Sequence, residues 1–336
     1  YVVLAPFVGA FADAFPKGRV MFITNLVKIT GCLMMFFSVH PLLAYAVVGF
    51  GAAAYSPAKY GILTELLPAE KLVAANGWIE GLTVLSIIFG TVLGGVLVSE
   101  RLAQALAFLV PFNHLQLSLS LEFALGVVML AYILAAVFNL NIPDTGARYA
   151  AQKRHPLKLV VEFSACFITL WRDRLGQISL AVTTLFWGAG ATLQFIVIKW
   201  AQVSLHMNLS QGAILQAISA VGVAGGAVWA AWRIPLRSSL NVLPYGIAMG
   251  LVVCVLAVYN SDMLPNTPLM TIGKFEVSLN LIPAYFLLIL VGWLAGYFVV
   301  PMNALLQHRG HVLMSAGHSI AVQNFNENIS VLTMLL

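Results

Sequence analysis

Ten long apolar segments constrain the fold of this chain more than any other feature of its sequence. A helix that crosses the hydrocarbon core of a bilayer needs about 20 mainly apolar residues. We interpret the first and last segments as incomplete spans and the other eight as complete ones. The segments are Tyr1–Ala14, Val20–Val39, Leu42–Leu63, Val73–Val98, Leu121–Asn141, Ile178–Val203, Ala213–Trp232, Val242–Tyr259, Leu281–Leu306 and Ser315–Leu336.

The composition agrees with lipid as the main solvent of the chain. Hydrophobic residues make up 61% of the sequence and charged residues only 9%, whereas soluble domains carry about 25% charged residues. The sequence has no strand-period alternation long enough for a membrane barrel. It therefore predicts an all-α membrane protein.

The loop cations predict the orientation of the helices. Twelve Lys and Arg residues lie in one alternating set of loops and two, Arg101 and Lys274, lie in the other. The positive-inside rule makes the first set cytoplasmic, including the break Ile142–Gln177, while Ser99–Ser120 and Asn260–Asn280 are expected outside. Within that break, Pro156–Trp171 mixes apolar and charged residues in the manner of a helix on the membrane surface. Because the cations are spread among the loops, they do not form a nucleic-acid site.

The two ends of the chain carry an internal repeat. The stretch Ala74–Leu85 aligns without gaps on Ala321–Leu332, and Pro57–Leu63 resembles Pro301–Gln307. Both matches lie six helices apart, which is typical of a parallel two-half repeat. We expect one further helix at each end and therefore twelve in all. The predicted divisions are a helical half at 1–141, a linker at 142–177 and a second half at 178–336.

Several motifs resemble those of a known family. The run from Gly9 to Arg19 (GAFADAFPKGR) resembles the loop motif of the major facilitator superfamily, between its second and third helices. The longer runs Gly49–Leu63, Phe186–Gly190, Val300–Gln307 and Ile320–Asn324 resemble the bacterial lysophospholipid transporters of that superfamily, over nearly the whole chain.

This resemblance implies a major facilitator fold in the bacterial inner membrane. Such proteins move lysophospholipids, chiefly lyso-phosphatidylethanolamine, to the cytoplasmic leaflet, where an acyltransferase/acyl-carrier-protein synthetase re-acylates them. No cofactor is expected. The resemblance also implies that Asp13 faces the N-terminus of the eleventh helix, near Leu313 to Ser315, and that Lys17 and Arg19 complete a cytoplasmic gating cluster.

Polar residues inside apolar segments indicate a substrate site. A charged side chain at a helix centre costs roughly 2.5–3.5 kcal/mol on insertion scales, so a partner or a wet cavity is expected. A zwitterionic phosphoethanolamine headgroup needs a cation for its phosphate, and a carboxylate or amides for its ammonium. A simple ion pair of Lys59 with Glu80 is the alternative. The candidate binding residues are Lys59, Asn76, Glu80, Gln323, Asn324 and Glu327.

Two other lysines, Lys28 and Lys199, lie nearer the ends of their segments, and we expect them to snorkel to the interface. On α-helical spacing Lys199 also stands one turn after Gln194, where the resemblance implies a cationic residue.

Other functions are weighed against these residues. The His308, His311 and His318 group has no cysteine and no nearby carboxylate, so we expect no metal site. The sequence contains no nucleophile elbow, phosphate-binding loop or zinc-protease motif, which argues against an intramembrane acyltransferase or another enzyme. A proton-coupled exporter of small amphipathic drugs or metabolites stays open, because Glu80 or Glu327 could titrate.

Overall fold

The computed structural model describes residues 1–97, 99, 119–149, 155–207, 209–265, 267–272 and 275–336. The described residues form eleven α-helices and one short β-hairpin. The helices are α1 (Ala5–Ala14), α2 (Lys17–Phe36), α3 (Pro41–Leu66), α4 (Leu72–Leu97), α5 (Leu119–Leu140), α6 (Pro156–Arg172), α7 (Arg174–Ser204), α8 (Leu209–Arg233), α9 (Leu243–Val258), α10 (Ile282–Leu313) and α11 (Ala316–Leu335).

Eight of these helices, α2 to α5 and α7 to α10, are long and apolar enough to cross a membrane. They correspond to the eight complete spans predicted from the sequence. Large apolar side chains such as Leu42, Phe138, Ile247 and Val258 are at least 70% exposed. In a membrane protein these side chains face lipid, so their exposure costs nothing. The helix α11 has 20 residues but an amide-rich middle, and it is not among the apolar eight.

The hairpin lies in the predicted external segment Asn260–Asn280. Strand β1 (Pro268–Ile272) pairs antiparallel with β2 (Phe275–Ser278), with Ile272 opposite Phe275. The sequence analysis did not predict these strands, because runs of four or five residues are too short to show a clear alternation. Most of the other predicted external segment, Ser99–Ser120, lies outside the described residues.

The chain forms two compact units. Unit 1 comprises Tyr1–Pro68, Phe89–Leu180 and Gln307–Asn328. In unit 1, α2 packs against both α3 and α5. Its core includes small and medium side chains from α1, α2 and α3, namely Ala12, Val20, Met21, Ala58 and Ile62.

Unit 2 comprises Ala69–Ile88, Ala181–Leu306 and Ile329–Leu336. Its core draws on α7, α8, α9 and α10, with Val197, Ala201, Leu205, Leu215, Leu256, Ala284 and Leu288. Each unit contains segments from both sides of the predicted linker, so the division into helical halves stays a prediction.

The helices α8 and α10 of unit 2 meet along a glycine seam formed by Gly222, Gly226, Gly292 and Gly296. A methyl group at Gly226 would overlap the Trp293 carbonyl oxygen, and one at Gly292 would overlap the Ser219 carbonyl oxygen. The two backbones are therefore nearly in contact, as small residues allow in membrane helices.

Candidate functional site

The carboxylate of Asp13, at the end of α1, lies against the first turn of α11. Its Oδ1 accepts a hydrogen bond of 2.8 Å from the Gly317 backbone N–H, and its Oδ2 accepts one of 3.1 Å from the His318 N–H. The Ser315 hydroxyl donates to Oδ2 at 2.5 Å. The first N–H groups of a helix have no intrahelical partner and carry its positive dipole end, so a carboxylate there is stabilising. The contact expected from the motif is present.

The imidazole of His318 is a further donor to this carboxylate. Its Nδ1 lies 2.9 Å from Asp13 Oδ2 and 2.8 Å from Ser315 Oγ. Because a carboxylate only accepts and the serine proton points to Asp13, Nδ1 carries a proton. The described residues contain no cluster of His, Cys, Asp and Glu that could hold a metal ion.

Lys17 is the cation of the same site. Its Nζ lies 2.8 Å from Asp13 Oδ1 and 3.3 Å from Glu65 Oε1, and it donates to the Ala12 carbonyl at 2.7 Å. The residue is only 4% exposed. A buried ammonium needs such partners, because desolvation of a charge costs several kcal/mol. Asp13, Lys17, Glu65, Ser315 and His318 are called the Asp13 network below.

The start of the predicted linker closes over this network. Glu65 accepts hydrogen bonds from the Thr145 hydroxyl at 2.7 Å and from the Tyr149 hydroxyl at 2.8 Å. The Tyr149 ring also lies 5.1 Å from Lys17 Nζ. Burial, together with the hydrogen bond to Glu65, raises the pKa of Tyr149 above its ordinary value. Tyr149 therefore stays a neutral donor at any physiological pH.

Arg19 is exposed and lines a cavity of about 400 Å³. Asp13, Lys17 and Glu65 of the Asp13 network line the same cavity, as do Asp144 and Arg148. The Arg148 guanidinium hydrogen-bonds Asp144 and lowers the pKa of that carboxyl to about 2, with a smaller contribution from Arg19. The three predicted gating residues thus line one cavity, and Asp13 and Lys17 also form an ion pair with each other.

The sequence analysis missed three members of the Asp13 network. Ser315 precedes the first residue of α11, which is a common position for a capping serine, so this signal was available. His318 was considered only as a metal ligand. Glu65 belongs to no recognised motif, and its role depends on contacts with distant residues.

A second ion pair in unit 1 joins the end of α10 to the start of α7. Arg309 Nε lies 3.0 Å from Asp173 Oδ2, and Arg309 Nη2 lies 2.5 Å from Oδ1. Asp173 also caps α7 by accepting a hydrogen bond from the Gly176 N–H at 2.8 Å. These hydrogen bonds, that of Arg309 above all, lower the pKa of Asp173.

Four of the predicted headgroup residues lie in unit 1. The Asn324 side chain of α11 donates to the Ser56 hydroxyl of α3 at 2.9 Å, and Lys59 lies three residues beyond Ser56. Gln323 donates to Glu327 at 2.8 Å, as their i,i+4 spacing predicts. The ammonium of Lys59 lies 4.9 Å from the Tyr60 ring centroid.

The other two predicted residues, Asn76 and Glu80, lie on α4 within unit 2. Asn76 is buried and donates to the Leu72 carbonyl of its own helix at 2.9 Å. Glu80 is half-buried. The proximity of Glu80 to Lys59 stays a prediction.

The expectation for Lys28 was wrong. Instead of reaching an interface, Lys28 is 8% exposed and its ammonium lies 4.0 Å from the Tyr55 ring centroid. The aromatic ring provides a partner inside the protein, which removes the need to extend toward water. Lys199, by contrast, is exposed.

Comparison with known sequences and folds gives the class of the protein. Residues 1–332 match the sequence model of the Major Facilitator Superfamily. The chain belongs to this superfamily, and it is a multi-pass membrane transporter rather than an enzyme.

Individual relatives sharpen this assignment. The chain is 41% identical to the lysophospholipid transporter LplT of Yersinia enterocolitica over 336 residues, covering 100% of the chain and 74% of that protein. The human organic anion transporter MFSD10 has a similar fold, with a TM-score of 0.69 at 16% identity, over 99% of the chain and 74% of that structure. The transporter FucP in its outward conformation gives a TM-score of 0.67 at 13% identity, over 99% and 79%.

Proposed function

We propose that this protein moves lysophospholipids, chiefly lyso-phosphatidylethanolamine, across the bacterial inner membrane to the cytoplasmic leaflet. The observation that carries the proposal is the 41% identity, over the full chain, to a transporter named for this substrate class. On this proposal, an acyltransferase/acyl-carrier-protein synthetase re-acylates the product on the cytoplasmic side.

The headgroup is bound by polar side chains within the spans. Lys59 supplies a cation for the phosphate, while Glu80, Glu327 and the amides of Asn76, Gln323 and Asn324 supply acceptors for the ammonium. The Gln323–Glu327 hydrogen bond supports this role, because it holds the carboxylate in place within a half-buried polar helix. The acyl chain stays in lipid while the headgroup crosses.

The Asp13 network is a gate on the predicted cytoplasmic side. Asp13 belongs to the first predicted half, and α11 belongs to the second. The hydrogen bonds from α11 to Asp13 would hold the two halves together on this side and favour an outward-open transporter. A cytoplasmic gate also requires the predicted topology, with 142–177 inside and 260–280 outside.

The competing function is proton-coupled export of small amphipathic compounds. It is favoured by one observation, the half-buried Glu327 on the amide-rich helix α11. Such a transporter would need a proton gradient, and substitution of the carboxylate by glutamine would abolish coupling.

Headgroup-resolved translocation in reconstituted vesicles tests the proposal, with and without a proton gradient. We expect lyso-phosphatidylethanolamine to cross without a gradient and to be recovered with unchanged mass. Strict gradient dependence together with drug transport would support the exporter, and a change in lipid mass would indicate acyl transfer.

The double variant Lys59→Glu/Glu80→Lys tests the headgroup site. A purely structural ion pair tolerates this exchange, since the attraction survives, whereas a headgroup site does not. We expect loss of translocation at normal expression, and activity equal to that of the parent would contradict the assignment.

A further inference from the structure

A second polar cluster lies inside unit 1, separate from the Asp13 network and one turn of α3 before the predicted headgroup residue Lys59. It is formed by side chains of α2, α3 and α5. Its charged and amide members are all more than nine-tenths buried, with Asn25 at 2%, Asn139 at 7% and Lys28 at 8% exposure. The Lys28 cluster comprises Asn25, Lys28, Tyr55, Tyr132 and Asn139.

The positive charge of the Lys28 ammonium is stabilised only by weak interactions within the described ranges. It lies 4.0 Å from the Tyr55 ring centroid and 5.5 Å from that of Tyr132, and it donates to Asn25 Oδ1 at 3.3 Å. No carboxylate among the described residues forms a salt bridge with Lys28. Fully buried lysines are normally paired with an opposite charge.

The amide side chains of the cluster also have N–H donors that form no hydrogen bond with the residues described. The Nδ2 atoms of Asn25 and Asn139 are buried and have no hydrogen-bond partner in the described part of the chain. The Asn139 carboxamide faces the Tyr55 phenol without meeting hydrogen-bond geometry, so it lies beside the ring that the Lys28 ammonium contacts. Buried polar groups in native proteins are nearly always hydrogen-bonded, so unused donors indicate a group that supplies acceptors.

Charge adds a second reason to expect an anion. Lys59 lies one turn of α3 after Tyr55, the ring that the Lys28 ammonium contacts, so the two positive charges act on each other. Repulsion of this kind is relieved by a negative charge between or beside the two ammonium groups. A ligand ammonium, in contrast, would meet the like charge of Lys28, with which no described carboxylate forms a salt bridge.

We propose that the Lys28 cluster binds the oxyanion of a phosphate group, with Lys28, Asn25 and Asn139 as its donors. A phosphate offers several anionic oxygens, and charge-assisted hydrogen bonds from lysine and amides to such oxygens are among the strong ones. The inference rests on the proposed function when the phosphate belongs to a lysophospholipid. Free inorganic phosphate has the same chemistry and is the other source.

A site that binds only the phosphate group should distinguish lipids by whether they carry a phosphate. Lyso-phosphatidylethanolamine and lysophosphatidylglycerol share the phosphate but differ in the rest of the headgroup. A monoacylglycerol with the same acyl chain lacks the phosphate. Loss of the cluster should therefore weaken both phospholipids equally and leave the monoacylglycerol unaffected.

The first test is binding of these three lipids to the purified full chain and to Lys28→Met, which keeps an unbranched side chain of nearly the same length without its charge. We expect at least a tenfold rise in Kd for both lysophospholipids, no change for the monoacylglycerol, and near-parent binding for Lys28→Arg. The matched control is Lys199→Met, because Lys199 also lies on a long spanning helix but is exposed. An unchanged Kd in Lys28→Met, or an equal rise for all three lipids, would overturn the proposal.

The second test separates binding from folding. A structural account predicts that Asn139→Leu is neutral or stabilising without ligand, because it removes a buried donor that has no partner. We expect a melting temperature equal to or above that of the parent, together with weaker lysophospholipid binding. Parent-like binding in a folded Asn139→Leu protein would contradict the site, even if Lys28→Met failed to fold.

Inorganic phosphate distinguishes the two sources of the ligand. Competition by millimolar phosphate against lyso-phosphatidylethanolamine, lost in Lys28→Met, would assign the site to phosphate in either form. Lysolipid binding that depends on Lys28 but ignores free phosphate would assign it to the lipid. If the unmutated protein binds inorganic phosphate through Lys28 but binds no lysophospholipid, the proposed function is refuted. The proposal that the Lys28 cluster binds phosphate would still hold.

Discussion

Two helix contacts, one in each unit, are built on opposite principles. In unit 1, α1 and α11 meet through a carboxylate and a helix N-terminus, with three donors of 2.5 to 3.1 Å from Ser315, Gly317 and His318. In unit 2, α8 and α10 meet through the glycine seam, where backbone lies directly against backbone.

The two contacts differ in the free energy that is lost when their helices separate. Water can replace each hydrogen bond of the Asp13 network, so the net cost of opening this contact is modest. Water cannot replace the dispersion contacts of the glycine seam in an apolar surrounding, and separation would also expose backbone groups. The polar contact is therefore suited to a gate, and the glycine seam is suited to helices that move together.

The largest loss of stability is expected from Gly226→Ala. A methyl group there would overlap the Trp293 carbonyl oxygen, so the helices must move apart. Over-packing costs about 1–3 kcal/mol and occasionally more, and we expect more than about 3 kcal/mol here. Gly225→Ala is the control, because its methyl group would meet the Trp293 side chain at an ordinary 3.7 Å. Equal melting temperatures for the two variants in detergent would contradict the seam.

The second-largest effect, a shift of the conformational equilibrium, is expected from Asp13→Asn. The asparagine NH2 group would face either the Gly317 N–H or the His318 N–H, so one backbone hydrogen bond is lost in any orientation. A partly buried carboxylate at a helix N-terminus contributes up to ~2 kcal/mol, which is roughly thirtyfold in a conformational equilibrium.

Distances between spin labels on the ends of α1 and α11 would measure this shift, with Asp144→Asn as the exposed control. We expect a longer distance and slower translocation only in Asp13→Asn. An unchanged distance combined with lost lysolipid binding would make Asp13 a ligand residue instead of a gate.

A smaller, pH-dependent effect is expected from the Asp173–Arg309 pair. Because the pKa of Asp173 is lowered in the folded protein, its stabilising effect is complete above the ordinary carboxyl pKa of about 3.9 and is lost as pH falls through the lowered value. The pair is partly exposed, so we expect Asp173→Asn to cost about 1 kcal/mol at pH 7. Melting curves should show this deficit at pH 7 and no deficit once the parent carboxyl is protonated. The exposed Asp262→Asn change is the control, and a deficit independent of pH would refute the assignment.

The smallest loss of stability is expected from Tyr149→Phe. This change removes the hydrogen bond to Glu65 and keeps the ring beside Lys17. A single hydrogen bond contributes about 0.5–1.5 kcal/mol net, and we expect the lower half of that range. Tyr149→Leu should cost more, since it also removes the ring. Melting temperatures that fall equally in both variants would show that the hydroxyl alone matters.

The sequence predicted the helices well because their length and apolarity are properties of contiguous residues. It also indicated the Asp13 contact, through a motif whose partner lies about 300 residues further on. It could not predict the environment of Lys28, because snorkelling and burial look alike until Tyr55 and Tyr132, on two other helices, are known to surround the ammonium. Glu65 was missed for the same reason.

If α6 lies on the membrane surface, as its sequence predicts, the bilayer itself takes part in transport. Its Leu157 and Val161 side chains are exposed by 70% and 67%, while its Phe163 and Phe167 rings pack edge-on against Phe325 of α11, at 5.5 and 6.0 Å. Phe325 directly follows Asn324 along α11. A helix that rests in the lipid interface responds to curvature and lipid composition. On that prediction, a membrane whose packing is loosened by accumulated lysophospholipids, the proposed substrates, would let α6 sink deeper and press on α11 before any molecule enters the transporter.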